Sequence, residues 1–351
     1  MQSQLISIII LNYNGREFLE SCLNSVLSQS YEKFEIIFVD NSSTDDSIDF
    51  IKKNFNDSRI NIVCSEKNLG FTGGNNLGLE NARGEFVVLL NNDTVVDKDW
   101  LKYLHELIIS DENIGIAQSL VLTEGIPEKY YLKNGTINLL GHNIMEIFPI
   151  DENGIGEIFQ ATGCSLIVRK SLLDSLGGLF LNEYFAYAED TYLCFKVKFF
   201  GKKIMHTSKS IVYHKGSATF NKKKSAWLYF YQERNRLLNF LLFFSGGFVV
   251  RYIPLLIFNF FMKFLASFFV SKYSLGGLAK AYFWLITNQK QIKLWRDDLS
   301  NIKQVDEKFV FSFVSGKIFN GNNVLEKLIN LISVNYCNFV NIRVIENIKR
   351  Q

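Results

Sequence analysis

Four short apolar runs, separated by stretches with helical periodicity, occupy the first ninety residues, and this alternation constrains the fold more than any other feature. The runs are Leu5–Leu11, Phe34–Val39, Ile60–Cys64 and Phe86–Leu90. Apolar runs without polar alternation are typical of strands that are covered on both faces of a parallel sheet. Strands that alternate with helices in this way predict an α/β fold with a doubly wound, mostly parallel sheet.

Polar residues follow three of these strands. Asn12, Tyr13 and Asn14 follow the first strand, Asp40 and Asn41 the second, and Asn91, Asn92 and Asp93 the fourth. In doubly wound sheets, ligands bind beyond the carboxyl ends of the strands. Asn and Asp are also ordinary turn residues. The recurrence at successive strand ends, and not any single cluster, therefore predicts a binding crevice.

The alternation is less regular in the next part of the chain, between residues 115 and 170, where glycines interrupt short apolar stretches. Ile158–Val168 is the best predicted strand of this part. Ala188–Phe200 then predicts a helix, and a strand at Ile211–Tyr213 leads to His214. The α/β pattern therefore extends to about residue 220.

The charge is distributed unevenly along the chain. Residues 1–190 contain 13 Lys or Arg against 28 Asp or Glu, whereas residues 191–296 contain 18 Lys or Arg against Glu233 alone. So basic a segment predicts an anionic partner, which charge alone leaves open among phospholipid headgroups, a diphosphate and nucleic acid. The aromatic and aliphatic residues around these lysines favour lipid over nucleic acid.

The apolar stretch between Arg251 and Lys272 is long enough to cross a bilayer, but Asn259, Lys263 and Ser267 recur in it at intervals of four. A central lysine makes a spanning helix expensive. We therefore expect a helix that lies in the membrane interface, with the polar stripe toward water and the Phe-rich face in the lipid.

The N-terminus and the cysteines predict the compartment. The sequence MQSQLISIIILNYNG has no basic segment, and its apolar run is too short for a signal peptide or a membrane span. The five cysteines are scattered and form no CxxC pair, which is typical of a reducing compartment. We expect a cytoplasmic protein in which all five cysteines are buried.

Several strings occur together and in order. They are SIIILNYNG, EIIFVDNSSTDDS, NLGFTGGNNLGL, LLNNDT, ATGCSLIVRK, GGLFLNEYFAYAEDTYLCFKVKFFG and YHKGSAT. Over about residues 5–240 this pattern resembles inverting family 2 glycosyltransferases of the GT-A fold, and most closely their rhamnosyltransferase-like branch. The resemblance implies a Rossmann-like nucleotide-binding half, followed here by a helical, membrane-associating extension.

The resemblance implies a set of residues that bind the nucleotide-sugar donor: Asn12, Tyr13, Asn14, Asp40, Asn68, Gly70, Asn75, Asn91, Asn92 and Asp93. Asp40 is suited to hydrogen bonding a pyrimidine or a ribose, although an Asx turn would also place an aspartate there. Asp93 and His214 are implied to hold Mg²⁺ or Mn²⁺ with the diphosphate. The sequence departs from the family's DxD element because Asn91 stands at its first place, which lowers the negative charge.

Asp190 is implied to be the general base, with Glu189 beside the acceptor, although acidic residues at a helix start also complement its dipole. The segment YQERNR, Tyr231–Arg236, resembles one found in polysaccharide-assembly members of the family. There Arg234 and Arg236 are placed to meet a lipid-linked diphosphate, or else to solvate a helix surface.

We therefore expect a glycosyltransferase that moves a sugar from a nucleotide diphosphate, with dTDP-L-rhamnose as the best guess, to a lipid-linked or polysaccharide acceptor in cell-envelope synthesis. We expect it at the cytoplasmic face of the plasma membrane, on an anionic surface and without nucleic acid. A galactofuranosyl, N-acetylhexosaminyl or glucosyl donor is the first alternative, and a basic binding protein without catalysis is the second. A dehydrogenase is excluded because GxGxxG is missing, and a nucleotidyltransferase lacks its Gly/Arg-rich loop.

The predicted domains are a catalytic domain at 1–220, a membrane-associating helical region at 221–300 and a tail of unclear role at 301–351. A cut after about Arg236 is expected to leave a soluble catalytic domain with its donor site intact.

Overall fold

The computed structural model describes residues 4–125, 135–144, 148–216, 225–271, 273–321 and 323–348. The chain forms two compact units, and neither is continuous in sequence. The first unit comprises Met1–Leu132, Phe148–Phe185 and Lys202–Phe220, and the second comprises Lys133–Ile147, Ala186–Gly201 and Asn221–Gln351. The C-terminal helices therefore share a unit with an internal segment of the predicted catalytic domain.

Eleven strands are present in the described residues: β1 Ile6–Asn12, β2 Phe34–Asp40, β3 Ile60–Cys64, β4 Phe86–Asn91, β5 Thr94–Val96, β6 Ile114–Thr123, β7 Thr136–Ile137, β8 Asn143–Ile144, β9 Ile155–Ile158, β10 Ser165–Arg169 and β11 Lys203–His214. The helices of the first unit are α1 Arg16–Leu27, α2 Ser47–Asn54, α3 Gly70–Asn81, α4 Trp100–Ser110 and α5 Lys170–Ser175. Those of the second unit are α6 Glu189–Phe199, α7 Ala226–Phe243, α8 Gly246–Ala266, α9 Leu275–Thr287, α10 Gln289–Ser300, α11 Glu307–Phe311, α12 Val324–Phe339 and α13 Ile345–Ile348.

The sheet of the first unit has the order β3-β2-β1-β4-β10-β6-β11-β5, and β9 adds to β11. Strands β1 to β4 are parallel to one another, whereas β5, β9 and β10 run antiparallel to their neighbours. β1 and β2 are almost completely buried, as their continuous apolar sequences predicted. The predicted α/β fold with a mostly parallel sheet is confirmed.

Two local predictions are wrong. Ile158–Val168 is not one strand, because β9 ends at Ile158 and β10 begins at Ser165. In the residues between β9 and β10, the backbone N–H of Thr162 donates to a side chain, Gln118 Oε1, at 2.7 Å, instead of to the backbone of a neighbouring strand. Cys64 is exposed, unlike the other four cysteines, because β3 is the edge strand of the sheet.

The polar stripe of α8 faces inward, which corrects its predicted direction. Asn259 Nδ2 donates to Glu233 Oε1, and Lys263 Nζ donates to Glu233 Oε2, each at 2.7 Å. Both side chains are buried against α7, as is Glu233 itself. The exposed face of α8 is apolar and includes Ile257 and Phe261. The helix therefore reverses the usual arrangement of a helix in water.

Helix α8 is also the one helix of the described chain that is long and apolar enough to cross a membrane. Its mean hydropathy reaches 1.7, and 28% of the apolar stretch is buried within the protein. Length and composition alone allow a span, and the buried Lys263 and Asn259 are reasons to consider an interfacial position instead.

Candidate active site

Asn12, Asp40 and Asn92 form a hydrogen-bonded group at the carboxyl ends of three neighbouring strands. The parallel register of β1 and β2 pairs Asn12 with Asp40. Asn12 Nδ2 donates to Asp40 Oδ1 at 3.3 Å, and Asn92 Nδ2 donates to Asn12 Oδ1 at 2.7 Å. The backbone N–H of Ser43 donates to the other carboxylate oxygen of Asp40 at 3.0 Å. The predicted convergence of strand ends is present, and Asn12 lies buried at its centre.

Asn41 connects this group to the start of α3. Its Nδ2 donates to Asn68 Oδ1 at 3.1 Å and to the Gly70 carbonyl at 3.1 Å, while its Oδ1 accepts from the Leu69 N–H at 2.8 Å. The predicted donor residues Asn68 and Gly70 are thereby held beside Asp40. Asn41 was predicted only as part of the polar cluster at the end of β2 and not as a donor-binding residue, and Ser43 was not predicted as a site residue at all.

Gly70 is required for steric reasons. Its φ is +70°, and an added Cβ would lie 2.3 Å from the carbonyl oxygen of Phe185. Only glycine fits such a close approach at positive φ. Gly70 therefore shapes the loop that precedes α3.

The other predicted donor residues differ in exposure. Tyr13 is half exposed, and Asn14 has a φ of 51° and accepts a hydrogen bond from the Thr44 N–H at 2.7 Å. Asn75 is buried and donates to the Phe71 carbonyl of its own helix at 2.8 Å. Asn91 is the last residue of β4. Tyr13 has the accessibility that a stacking ligand needs, whereas the amide nitrogen of Asn75 is already used within α3.

Asp93 and His214, the predicted metal residues, lie together. The antiparallel pairing of β5 with β11 places His214 opposite Thr94, and His214 Nε2 is 3.2 Å from Asp93 Oδ1. Each side chain is about one fifth exposed. No group of three or more His, Cys, Asp or Glu that could hold a metal occurs in the described part of the chain. A carboxylate and an imidazole fit Mg²⁺ or Mn²⁺ as a partial site, because such ions often take their remaining ligands from phosphates and water.

Glu189 and Asp190 begin α6 in the second unit. Glu189 is buried, and its Oε2 has no hydrogen-bond partner in the described residues. Burial and the adjacent charge of Asp190 raise the pKa of Glu189 well above the usual range of a carboxyl group. Asp190 Oδ1 accepts from the Thr191 N–H at 2.7 Å. The two neighbours therefore differ: Glu189 is buried with a raised pKa, whereas Asp190 accepts a backbone hydrogen bond.

Arg234 and Arg236 are buried within the second unit, where both guanidinium groups have protein contacts. Arg234 Nε and Nη2 donate to Asn235 Oδ1 at 2.8 and 2.6 Å. Arg236 Nη2 pairs with Glu233 Oε2 at 2.5 Å, and its other terminal nitrogen contacts His142 Nε2. The alternative that these two arginines solvate a helix surface is therefore wrong, because both are buried.

Comparison with known proteins shows which proteins this chain is similar to. A family model described as "Glycosyl transferase family 2" matches residues 7–177. Two solved structures share the fold at low sequence identity. GalNAc-T7, crystallised with UDP, GalNAc and Mn²⁺, has a TM-score of 0.59 at 16% identity and covers 70% of this chain and 49% of its own. S. aureus TarS 1-349 in complex with UDP has a TM-score of 0.54 at 20% identity, and the match covers 95% of this chain and 89% of the TarS chain. The chain has the GT-A fold, with a helical region at its C-terminal end.

Curated relatives give the particular likeness. Glycosyltransferase GlyA of Streptococcus pneumoniae is 28% identical over 221 residues, which are 59% of this chain and 30% of the relative. The putative teichuronic acid biosynthesis glycosyltransferase TuaG of Bacillus subtilis is 38% identical over 28% of this chain and 39% of its own. The Escherichia coli enzyme WfaP, named as a UDP-Glc:alpha-D-GlcNAc-diphosphoundecaprenol beta-1,3-glucosyltransferase, is 41% identical over 26% and 36%. The chain spans less than half the length of these relatives.

Proposed function

We propose that this chain is a glycosyltransferase that moves a sugar from a nucleotide diphosphate to an acceptor hydroxyl, with inversion, in cell-envelope glycan synthesis. The observation that carries the proposal is the group of Asn12, Asp40 and Asn92 at the carboxyl ends of β1, β2 and β4. This is where an open α/β sheet binds its ligand. The family match over residues 7–177 supports the same function.

On the donor side, Asp40 receives the base or ribose as a hydrogen-bond acceptor, and Tyr13 offers an exposed ring for stacking. Asp93 and His214 would hold Mg²⁺ or Mn²⁺ with the diphosphate. When bound, the ion supplies positive charge that stabilises the departing nucleoside diphosphate. The single carboxylate of Asp93, with Asn91 in place of a second one, predicts weak metal binding before the donor binds.

On the acceptor side, Asp190 takes the proton from the attacking hydroxyl. Burial and the charge of Asp190 raise the pKa of Glu189 to about 8, so Glu189 holds its proton at neutral pH. A carboxyl group whose pKa is raised by its surroundings is a recurring element of acid–base catalysis. Glu189 then serves as a neutral hydrogen-bond donor near the acceptor.

The acceptor that we propose is a lipid-linked saccharide, as the name of the WfaP enzyme gives for that relative. Arg234 and Arg236 remain candidates for its diphosphate. Binding there requires the ligand to share the guanidinium groups with Asn235 and Glu233.

The surface that meets the membrane consists, in this proposal, of the outward faces of α8 and α12. On α12 these are Val324, Leu325, Leu328, Leu331, Ile332 and Phe339, all exposed, whereas Asn330 and Ser333 are buried. The two helices are joined by hydrogen bonds between Arg251 of α8 and the carbonyls of Val340 and Asn341, at 2.9 and 3.1 Å. Exposed faces that contain this many large apolar side chains are typical of interaction sites.

Charge favours an anionic lipid surface as the occupant of these faces. Between residues 191 and 296, Glu233 is the one acidic residue against 18 Lys or Arg. Glu233 is itself buried and paired, so it does not offset the basic residues at the surface. Exposed Lys280, Lys290 and Lys293 lie on α9 and α10 of the same unit. Exposed apolar helix faces in a unit that also carries exposed basic residues are typical of proteins that bind an anionic membrane interface.

A donor screen tests the proposal. Purified protein is incubated with nucleotide sugars and a lipid-linked acceptor, and nucleoside diphosphate release is measured. We propose dTDP-L-rhamnose as the first donor to test, with galactofuranosyl, N-acetylhexosaminyl and glucosyl donors beside it. Acceptor-dependent release with one donor supports the function. Release with none of them, together with no binding of UDP or dTDP, would contradict it.

A further inference from the structure

The backbone immediately before α6 is strained. Phe185, Tyr187 and Ala188 have φ values of 60°, 73° and 62°, and none of them is glycine. Ala188 is the last residue before the helix, and its conformation is left-handed. Such conformations are unfavourable for residues with a side chain and persist only where the surrounding structure fixes them. Something must therefore hold the segment that leads into Glu189 and Asp190.

Two buried asparagines of α7 hold this segment. Asn235 Nδ2 donates to the carbonyls of Ala186 and Tyr187, both at 2.9 Å. Asn239 Nδ2 donates to the carbonyl of Ala188 at 3.0 Å. Asn235 and Asn239 are four residues apart, so they lie on the same face of α7. Three successive carbonyls ahead of Glu189 are thereby bound by two carboxamides.

Arg234 fixes the orientation of the first carboxamide. Its Nε and Nη2 both donate to Asn235 Oδ1, which requires the amide nitrogen of Asn235 to point to the other side. The guanidinium group lies 4.7 to 4.9 Å from the ring centroids of Phe230, Tyr231 and Trp284. Cation–π contacts of this kind hold an arginine in place. The segment Tyr231–Arg236 thus has a structural purpose that its sequence did not reveal.

We propose that Asn235 and Asn239 are positioning residues that hold the strained backbone ahead of α6 and thereby direct the Asp190 carboxylate at the acceptor hydroxyl. The inference rests on the proposed role of Asp190 as the base. It extends that role, because two residues of α7, a helix that follows α6 later in the sequence, would determine the position of the base. A small displacement of a catalytic group lowers the rate of the reaction strongly.

The test is the variant Asn239→Leu, which has a similar size and no donor. We expect kcat to fall about 10- to 100-fold, as for a misplaced catalytic group, while KM for the nucleotide sugar and its dissociation constant stay unchanged. Asn239→Ser, which leaves room for water, is the second variant in case Asn239→Leu folds poorly, and we expect the same direction. The matched control is Asn330→Leu. Asn330 is a buried asparagine of α12 whose carboxamide also binds backbone, at Ile318 and Phe319, and its loss should lower the melting temperature but not kcat.

A double variant distinguishes positioning from general stability. In the Asp190→Asn background, Asn239→Leu should lower the residual rate no further, because the base that it directs is already missing. A fall of the same factor in both backgrounds, or full activity of Asn239→Leu beside an inactive Asp190→Asn variant, would overturn the positioning role alone. Full activity of Asp190→Asn would instead overturn the assignment of the base, and the positioning proposal with it.

Discussion

The two carboxyl groups at the start of α6 differ in their surroundings although they are neighbours in sequence. Glu189 is buried, and its pKa is raised by burial and by the charge of Asp190. The sequence motif identified both residues but assigned their roles only by resemblance. The burial of Glu189 fits the proposed assignment, because a carboxyl group that retains its proton is a poor base.

The first prediction concerns Asp190. Asp190→Asn should lower kcat at least about a hundredfold, since an amide cannot accept the hydroxyl proton. Donor binding, measured by calorimetry with the nucleotide sugar, should persist. Asp174→Asn, which removes an exposed carboxylate of α5, is the control and should keep full activity. Near-normal turnover of Asp190→Asn would locate the base at another residue.

The second prediction concerns the pH dependence of stability. The unfolded chain releases the Glu189 proton around the ordinary value of 4.5, whereas the folded protein retains it to a higher pH. The free energy of unfolding should therefore decrease as the pH rises from 4.5 through the raised pKa. Glu189→Gln replaces the titrating carboxyl group with an amide, so the melting temperature of the variant should depend less on pH over that range. Parallel curves for the two proteins would argue against a raised pKa.

The third prediction concerns the metal residues. Asp93→Ala should lose turnover and the binding of Mn²⁺ in the presence of nucleoside diphosphate together, because Asp93 would be a ligand of the ion whose charge stabilises the diphosphate. Calorimetry of Mn²⁺ with and without UDP measures the second effect. Asp97→Ala, four residues further along the same acidic stretch, is the control. Full activity of the unaltered protein in excess chelator would indicate a metal-independent enzyme.

Individual residues were predictable where a strand end determined them. Asp93 and His214 were expected together because of motif order, and the pairing of β5 with β11 provides the physical reason. Asn41 was missed as a site residue because its role depends on a contact with Asn68, which lies in another loop. Contacts between loops are not encoded in local periodicity, and this is why strand ends were easier to predict than the hydrogen bonds between them.

At the scale of elements, α8 shows what periodicity can predict. The spacing of Asn259 and Lys263 correctly predicted a polar stripe, but its direction was wrong. The partner that turns the stripe inward is Glu233, which precedes Asn259 by 26 residues and lies on α7. A helical pattern gives the angle between polar and apolar faces, and only the partner decides which of them is buried.

The fourth prediction follows from this buried group. Burial alone would raise the pKa of Glu233, but Arg236 and Lys263 lower it below its usual value. Glu233→Gln leaves both cations without their carboxylate, and breaking a buried pair costs about 3–5 kcal/mol of unfolding free energy. Urea denaturation measures the loss. Lys293→Met, which removes an exposed charge on α10, should change stability little. A small effect of Glu233→Gln would show that the cluster contributes little to stability.

At the scale of the whole molecule, the C-terminal helices belong to the same compact unit as α6, which lies inside the predicted catalytic domain. Phe195 and Phe199 of α6 pack against Phe240 and Phe243, with ring centroids 5.2 to 5.7 Å apart. A cut after Arg236, expected from the sequence to leave a soluble domain, removes the aromatic residues that cover α6. The structure therefore favours misfolding around Asp190 in such a fragment, even though the residues of the donor site precede the cut.

The fifth prediction concerns the membrane. In flotation with vesicles of phosphatidylglycerol and phosphatidylcholine, binding should increase with the anionic lipid, at roughly 1 kcal/mol for each basic residue near the surface. It should decrease only partly at high salt, because the apolar faces are not screened. Phe261→Glu on α8 and Leu328→Glu on α12 should each weaken binding. Ser175→Glu, which adds the same charge on α5 in the other unit, should not. Absence of flotation together with a dimer in solution would assign the faces to a second copy instead.

The discontinuous units limit how such a chain can recombine with its relatives. The chain passes from one unit to the other five times, and the segment with Asp190 belongs to a different unit from the strand ends with Asp40 and Asp93. A single crossover within residues 133–220 would therefore build each unit from the segments of two different parent chains. Substitutions at the strand ends of the first unit should therefore leave both units complete, whereas hybrids made by exchanging N-terminal and C-terminal halves should fold poorly.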